Sequence, residues 1–414
     1  MNEPKKIALV GLGGISQSVH LPVATRLHDQ VELVAVVDLS PDRVDQTRSA
    51  YGEQIRGFHT VDDLLSAVAE GFAVDGAVLA TTGTHATDSA RLLETGIPVL
   101  SEKPLGYSVS EHDLLLERLG GGDHAAPLRV GYMKEYDTAY REARRLLEGK
   151  QIRAVEVEAL HPADGAQLSF ANLRPAPTDV DPDLLAQVVK PTDSAMRDAL
   201  GRLMDVQTPP DEQPGLERYY SGIIMGSVIH DIALLRYLVG GVGTVDMAQR
   251  YGPAFPGSLA FGGQLRDHHA PWFLNWHFIS DYPEYQETVT VHHEQGSVEL
   301  VFDVPYLLNV ATKLNVVQGL PGYGVNRSTQ TWPQSEAFET EWREFIALLN
   351  GAAQDSPQGP VRASEHTGSG VKESRRDIEV GQEMARALAK SVGIKMDEMS
   401  EIGRGKDCVE IGRL

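Results

Sequence analysis

Short apolar runs alternate with amphipathic stretches through the first third of the chain. Such runs are typical of parallel strands that are buried on both faces. Each stretch between them has the apolar spacing of a helix, so the pattern predicts an open doubly wound α/β sheet. The predicted strands are residues 7–10, 33–37, 76–80, 98–101 and 128–132.

The predicted helices in this segment carry recognisable end signals. Ser40 is placed as an N-cap before Pro41 at the first helical position, and Gly52 ends that helix. Ser108 and Glu111 have the spacing of a capping box. Residues 1–130 are therefore predicted to form one domain of the dinucleotide-binding type.

The pattern changes after residue 135. A helix, "DTAYREARRLLEGK", leads to an alternating strand, "RAVEVEALHP", and then to a Pro- and Asp-rich insert at residues 163–214. An insert of this length predicts a lid or a binding loop. Another helix, "SVIHDIALLRYLVGG", follows it.

The remainder of the chain predicts an α+β domain spanning residues 131–414. Strand-like runs such as "WFLNWHFIS" and "ETVTVHHEQGSVELVFDVP" follow one another without helices, which favours an open, mostly antiparallel sheet with a hairpin at "EQGS". The apolar face of "FETEWREFIALLNG" predicts a core helix, and "ESRRDIEVGQEMARALAKSV" predicts a closing helix.

Composition narrows the possible functions. The chain has 414 residues, of which 42% are hydrophobic and 23% charged, as expected of a globular protein with two domains. Its formal net charge of −21 argues against nucleic acid and anionic membrane as partners. With a single cysteine, Cys408, with no signal-peptide pattern and with no apolar run near 20 residues, a cytoplasmic location is expected.

The first strand leads directly into a cluster of glycines. Gly11 and Gly13 have the spacing of the dinucleotide-binding motif G-x-G-x-x-G, with Ser16 at the third position. The next strand ends at Asp38, where a carboxylate can bind the adenosine ribose hydroxyls and favour NAD over NADP. Arg43 leaves NADP possible, and a glycine turn without a ligand is the structural alternative.

The segment "PVLSEKPLG" places Lys103 at the carboxyl end of a predicted strand. Open α/β sheets bind their ligands at this edge. A solvated surface lysine is the structural alternative, but the position between Glu102 and Pro104 favours a functional role.

Together these segments resemble the glucose-fructose oxidoreductase, inositol dehydrogenase and rhizopine catabolism family (Gfo/Idh/MocA). The resemblance rests on "GLGGISQSVHLP", "VVDLSPDR", "THATDSARLLETGIPVLSEKPLG", "VGYMKEYDTAY" and "HDIALLRYLVG". It implies a nicotinamide cofactor and hydride transfer to or from a sugar-, aminosugar- or cyclitol-like alcohol or ketone.

The resemblance also implies roles for individual residues. Lys103 and His230 are the catalytic candidates, since oxidation of an alcohol needs a base within hydrogen-bond reach. Tyr132, Lys134 and Tyr220 join them as substrate-binding candidates. For His85, a structural role is the alternative to cofactor binding. The cofactor-binding candidates are Gly11, Gly13, Gly14, Ile15, Ser16, Asp38, Arg43, Thr81, Thr82, His85, Glu102 and Lys103.

The chain departs from the family pattern at one position near His230. Gly226 stands where members that oxidise cyclitols commonly carry an aspartate, so a polar substrate partner is missing. Asp231 is adjacent to His230 but is expected to act at the start of the helix. The insert is a candidate source of replacement contacts.

Three further expectations complete the analysis. The histidine pairs in "DHHAP" and "VHHEQG" lack a third ligand at convincing spacing, so no metal is expected. A homo-oligomer, dimer or tetramer, is expected through the open sheet, because an open sheet face would otherwise leave a large apolar patch in water. Two alternative functions remain: a redox-neutral glycosidase or epimerase that retains NAD, and a noncatalytic NAD-binding regulator.

Overall fold

The structure is a computed structural model of the chain. It describes residues 3–120, 127–163, 169, 173–201, 215–252, 255–351 and 368–391. The expected loop at residues 352–370 lies almost wholly outside the described residues, as do Cys408 and the parts of the insert at residues 164–168, 170–172 and 202–214.

The first domain is a six-stranded parallel sheet with helices on both faces. The strand order is β3-β2-β1-β4-β5-β6, which is the doubly wound order of dinucleotide-binding domains. The strands are β1 Lys5–Val10, β2 Val31–Val37, β3 Arg56–Phe58, β4 Gly76–Leu79, β5 Val99–Glu102 and β6 Leu128–Gly131. The helices are α1 Leu21–Arg26, α2 Pro41–Tyr51, α3 Val61–Ala69, α4 Ala86–Glu94 and α5 Val109–Arg118.

The predicted fold of this domain is confirmed, together with its helix ends. The Ser40 side chain accepts a hydrogen bond from the Arg43 N–H at the start of α2. Ser108 and Glu111 form the expected capping box at the start of α5. The short strand β3 was not predicted, because only three residues of it pair with β2.

The second domain is built on an eight-stranded mixed sheet. Its order is β14-β13-β12-β11-β7-β10-β9-β8, and all neighbours are antiparallel except β7 and β10. The predicted open, mostly antiparallel sheet is therefore confirmed. The strands are β7 Ile152–His161, β8 Met247–Tyr251, β9 Ser258–Gln264, β10 Pro271–Phe278, β11 Gln286–His293, β12 Gly296–Phe302, β13 Lys313–Leu320 and β14 Gly324–Gln330.

Helices cover one face of this sheet. The helices after β6 include α6 Thr138–Leu147, α7 Pro182–Leu200 within the insert, α8 Leu216–Val239, α9 Ala337–Leu349 and α10 Val371–Ser391. Helix α8 begins well before the predicted start of its segment and contains a π-helical stretch, Tyr219–Val228. By length and composition it could cross a membrane, but 67% of its most apolar window is buried, as in a core helix of a soluble protein.

Helix α9 packs on the first domain, although it lies beyond the domain boundary predicted at residues 130–131. Phe338, Trp342 and Phe345 lie in the same buried cluster as Ile7 and Val78 of the parallel sheet. A methyl group at Gly76 of β4 would lie 3.0 Å from the Leu349 side chain. This late helix therefore covers a face of the first domain, although the sequence assigned it to the second.

The uncovered face of the mixed sheet is largely polar. Glu156, Glu158, Thr288 and Thr290 occupy its centre, and Phe273 is exposed among them. The apolar patch that motivated the expected oligomer is therefore not present in this central region.

Candidate active site

The chain turns sharply where β1 ends. Gly11 has a φ of +91°, and a Cβ built on it would lie 2.6 Å from the Ala80 carbonyl carbon. Only glycine fits this close approach to the end of β4. A Cβ on Gly13, by contrast, would meet no atom within 4 Å, so this part of the loop borders open space.

Asp38 joins the glycine turn to the end of β2. Its carboxylate accepts hydrogen bonds from the Leu12 N–H at 2.8 Å and from the Ser40 N–H at 2.9 Å. Gly14 and Ile15 begin the helical segment that follows, and the first amides of a helix have no partner within the helix. A glycine turn with open space, helix amides and an acid at the end of β2 fits a dinucleotide.

Several cofactor candidates have internal partners instead. The buried Ser16 hydroxyl donates to the Gly11 carbonyl at 2.6 Å and holds the turn. The His85 ring lies between the carbonyl oxygens of Pro104 and Thr81, at 2.8 and 3.0 Å, and burial lowers its pKa. These contacts support structural roles for Ser16 and His85.

Glu102 is buried at the end of β5 and supports the lysine that follows it. The Trp342 indole N–H donates to His20 Nδ1 at 3.1 Å, so the His20 Nε2 carries the proton and donates it to Glu102 at 3.1 Å. Burial raises the pKa of Glu102, but the His20 hydrogen bond and the nearby cationic groups outweigh burial and leave the pKa below its ordinary value. Glu102 is therefore a charged structural neighbour of Lys103.

Lys103 reaches from the first domain to helix α8 of the second. Its Nζ donates to the Gly226 carbonyl oxygen at 2.5 Å. Burial and the charge of Lys134 lower the pKa of Lys103 to about 8, although Glu102 opposes the change. The main chain at Gly226 thus supplies a polar partner where the expected carboxylate is absent.

His230 follows the π-helical stretch directly. Its Nδ1 is buried and has no hydrogen-bond partner among the described residues, and its ring meets the Tyr132 ring edge-on at 6.4 Å. Burial, with the charges of Lys103 and Lys134, holds the pKa of His230 well below its usual range. The imidazole is therefore neutral and can accept a proton or a hydrogen bond. Single π-turns inside helices occur frequently at functional sites.

A buried polar cluster lies behind these groups. Lys134 pairs with Glu287, which also accepts a hydrogen bond from the Tyr285 hydroxyl. Burial and the charge of Glu287 raise the pKa of Asp231 well above its usual range, so Asp231 is neutral and shares a hydrogen bond with Glu287. Asp231 lies in the first turn of the α-helical stretch Ile229–Val239, as expected, but π-helical residues precede that stretch directly and the side chain is buried.

Aromatic side chains border the same region. The His161 ring packs against Trp276 and Tyr285, each with ring centroids at 4.8 Å. Ser227, next to Gly226, receives a hydrogen bond from the Trp276 indole at 3.1 Å and contacts His161 Nε2 at 3.0 Å. Burial lowers the pKa of His161 to about 4, so this ring is also neutral.

The structure brings together four of the predicted substrate-side residues. Lys103, Lys134 and His230 act on one another electrostatically, and Tyr132 packs beside His230. Tyr220 has a different environment: its buried hydroxyl donates to the Tyr107 carbonyl at 2.6 Å. Its contacts support a core role rather than the predicted substrate contact.

Glu287 and His161 were missed in the sequence, although a signal existed for one of them. Glu287 shares the inward face of β11 with Val289 and Val291, and a carboxylate in such a row needs a buried partner. His161 ends an alternating strand and has no comparable signal. Among the described residues, no group of three or more His, Cys, Asp or Glu side chains could hold a metal ion.

The strand order, the glycine turn and Asp38 define a dinucleotide-binding Rossmann domain joined to a mixed-sheet domain. Residues 5–120 match the family described as "Oxidoreductase family, NAD-binding Rossmann fold", GFO_IDH_MocA. The first domain is therefore similar to the NAD-binding Rossmann domain of the Gfo/Idh/MocA oxidoreductases.

Curated relatives match over about a third of this chain. Inositol 2-dehydrogenase 4 of Saccharopolyspora erythraea is 37% identical over 151 residues, which are 35% of this chain and 41% of the relative. Inositol 2-dehydrogenase 1 of Mycolicibacterium vanbaalenii is 32% identical over 147 residues, with shares of 35% and 41%. The matches therefore span less than half of each relative.

Solved structures extend the likeness to both domains. Scyllo-inositol dehydrogenase from Lactobacillus casei, with bound NAD(H) and scyllo-inositol, has a TM-score of 0.62 at 19% identity, covering 94% of this chain and 97% of that one. The WlbA dehydrogenase from Bordetella pertussis, in complex with NADH and UDP-GlcNAcA, has a TM-score of 0.59 at 19% identity, with the same coverage. At this identity the likeness shows a shared fold.

Proposed function

We propose that the protein is an NAD-dependent oxidoreductase that interconverts an alcohol and a ketone on a cyclitol, sugar or aminosugar. The observation that carries the proposal is the meeting of Lys103 with the Gly226 carbonyl beside a neutral His230, at the carboxyl edge of a dinucleotide-binding sheet. The names of the curated relatives and solved neighbours support the substrate class.

The nicotinamide would supply the hydride chemistry, and the side chains would manage the substrate oxygen and its proton. Lys103 has a pKa of about 8 and can exchange a proton near neutral pH. In this proposal Lys103 leaves the Gly226 carbonyl and binds the substrate oxygen. Its ammonium donates to the oxygen of a ketone, and its neutral amine accepts the hydroxyl proton of an alcohol. Neutral His230 accepts a hydrogen bond from the same hydroxyl or takes its proton.

The surrounding groups suit a polyhydroxylated molecule. Ser227 and His161 provide polar atoms beside the aromatic ring of Trp276. The buried ion pair of Lys134 with Glu287 adds no net charge, so a neutral substrate needs no ionic partner there. A sugar or cyclitol offers several hydroxyl groups to such donors and acceptors.

The proposal is tested by following nicotinamide absorbance with NAD or NADP and a panel of inositols, sugars and nucleotide sugars. Lys103→Met should abolish turnover while NADH binding, measured by fluorescence titration, is retained. Lys390→Met is the matched control, because Lys390 is exposed at the end of α10. Full turnover by Lys103→Met would remove Lys103 from the mechanism.

The direction of the pH dependence follows from the role of Lys103. Alcohol oxidation needs the neutral amine as proton acceptor, so the rate should rise with pH through about 8. Ketone reduction needs the ammonium and should fall over the same range. A profile without such a change in either direction would contradict this assignment.

A redox-neutral enzyme that retains its NAD is the second candidate. It is favoured by the insert, because residues 173–192 contact the loops of the glycine turn and of α2. Cofactor that survives purification, with no net change in nicotinamide absorbance during turnover, would support this candidate. The convergence of Lys103 and His230 favours either enzyme over a noncatalytic regulator.

A further inference from the structure

The insert contacts three neighbouring loops of the first domain. We term residues 173–192, which include the first half of α7, the strap. Its Arg174 N–H donates to Gln17 Oε1 at 3.0 Å, beside the glycine turn. Its Thr192 Oγ1 accepts from the Thr84 N–H at 3.0 Å, after β4. The third contact, at the end of β2, involves Asp179.

Asp179 lies at the N-terminus of α2. One carboxylate oxygen accepts from the Ser40 hydroxyl at 2.6 Å, and the other accepts from the Asp42 N–H at 2.8 Å. These hydrogen bonds and the charge of Arg43 lower the pKa of Asp179, so the group is an anion at neutral pH. A carboxylate at this position satisfies helix amides that would otherwise attract another anion.

This position borders the site for the adenosine ribose. Ser40 connects two acids, since its N–H donates to Asp38 at 2.9 Å while its hydroxyl donates to Asp179. In dinucleotide-binding domains the acid at the end of the second strand binds the ribose 2′-hydroxyl, and a nearby arginine accommodates a 2′-phosphate. Asp179 therefore occupies the hydrogen-bond donors that a 2′-phosphate would need.

Arg43 is held away from that role by the same segment. Its Nη2 donates to the strap carbonyl of Pro175 at 3.4 Å, and its buried Nε has no hydrogen-bond partner among the described residues. Arg43, the residue that kept NADP binding possible in the sequence, thus contacts the strap.

We propose that Asp179 is a specificity-determining residue that takes the place of the 2′-phosphate and excludes NADP, with the strap holding it in position. The proposal rests on the NAD-dependent function proposed above. In this proposal the negative charges of Asp38 and Asp179 together exclude NADP, and only Asp38 belongs to the dinucleotide-binding motif. It also gives the insert a role at the cofactor.

The test is binding of NADH and NADPH to the nucleotide-free full-length protein, followed by nicotinamide fluorescence. Asp179→Asn keeps the size of the side chain and removes its charge, and Asp179→Ser opens the position. Each should tighten NADPH binding by about tenfold and leave NADH binding nearly unchanged. Asp193→Asn is the matched control, because Asp193 is exposed on the same insert helix.

Two further measurements separate charge from shape. NADPH binding to the unaltered protein should tighten relative to NADH as salt is raised, because salt screens the repulsion, and Asp179→Asn should weaken this dependence. Adding Arg43→Gln to Asp179→Asn should abolish the gain, since the released guanidinium is the expected partner of the phosphate.

The outcomes distinguish this inference from the proposed function. If the unaltered protein binds neither nucleotide, the proposed function fails. If it binds NADH but neither Asp179 variant gains affinity for NADPH, or if it already binds both nucleotides equally, the role of Asp179 is refuted. Equal thermal unfolding of the variants confirms that the comparison is between folded proteins.

Discussion

The buried ion pair between Lys134 and Glu287 offers a quantitative test of the site. Both side chains are almost completely buried, with relative exposures of 5% and 2%. Lys134 also lies 4.8 Å from the centre of the Phe302 ring, and Glu287 is its charged partner. Glu287→Gln keeps an oxygen that can accept hydrogen bonds but removes the charge that balances the ammonium.

The expected loss of stability is about 3–5 kcal/mol, because an unpaired charge remains buried. The double variant Lys134→Met with Glu287→Gln should be more stable than Glu287→Gln alone. Methionine can pack on Phe302, and the glutamine oxygen still accepts from Tyr285.

The assay is urea unfolding monitored by circular dichroism and tryptophan fluorescence. Glu158→Gln, on the exposed face of the neighbouring strand β7, should change stability by less than about 0.5 kcal/mol. The reasoning would be refuted if Glu287→Gln cost no more than this control, or if the double variant lost as much as the two single variants added together.

Three further predictions concern individual positions. The raised pKa of Asp231 lowers stability as pH rises above the ordinary range of an aspartate, because the unfolded chain then loses a proton that the folded protein keeps. Asp231→Asn should therefore flatten this decline in unfolding free energy with pH, and an unchanged slope would exclude Asp231 as the group responsible. Gly226→Asp places a carboxylate beside Lys103, at a position where a Cβ would lie 3.3 Å from the Ser221 carbonyl oxygen. This variant should raise the pKa of Lys103 and shift the pH–rate profile to higher pH. The control is Gly222→Asp, at an exposed position with open space, which should leave the profile unchanged. Gly11→Ala should destabilise the protein by more than about 2 kcal/mol in thermal unfolding. Gly13→Ala should fold normally and lose affinity for NADH. Equal effects of the two variants would contradict the assigned geometry of the glycine turn.

Local patterns determined much of the first domain before its structure was known. Buried parallel strands are continuous apolar runs, and caps such as Ser40 and Ser108 act within one helical turn of their own residue. Gly11 and Asp38 were predicted for the same reason, since each follows a strand directly. Helix α8 was placed too late in the chain, because its π-helical stretch does not keep the α-helical period.

The tertiary structure decided which distant residues meet. The sequence by itself determined the doubly wound domain, the glycine turn and the candidacy of Lys103, because these depend on short-range patterns, whereas the candidacy of His230 came from the family resemblance. It left open that the Gly226 carbonyl would bind Lys103, 123 residues away, and that Asp179 would cap α2 from 139 residues beyond Ser40. Such contacts depend on how separate elements pack, and neither residue carries a local signal of its partner.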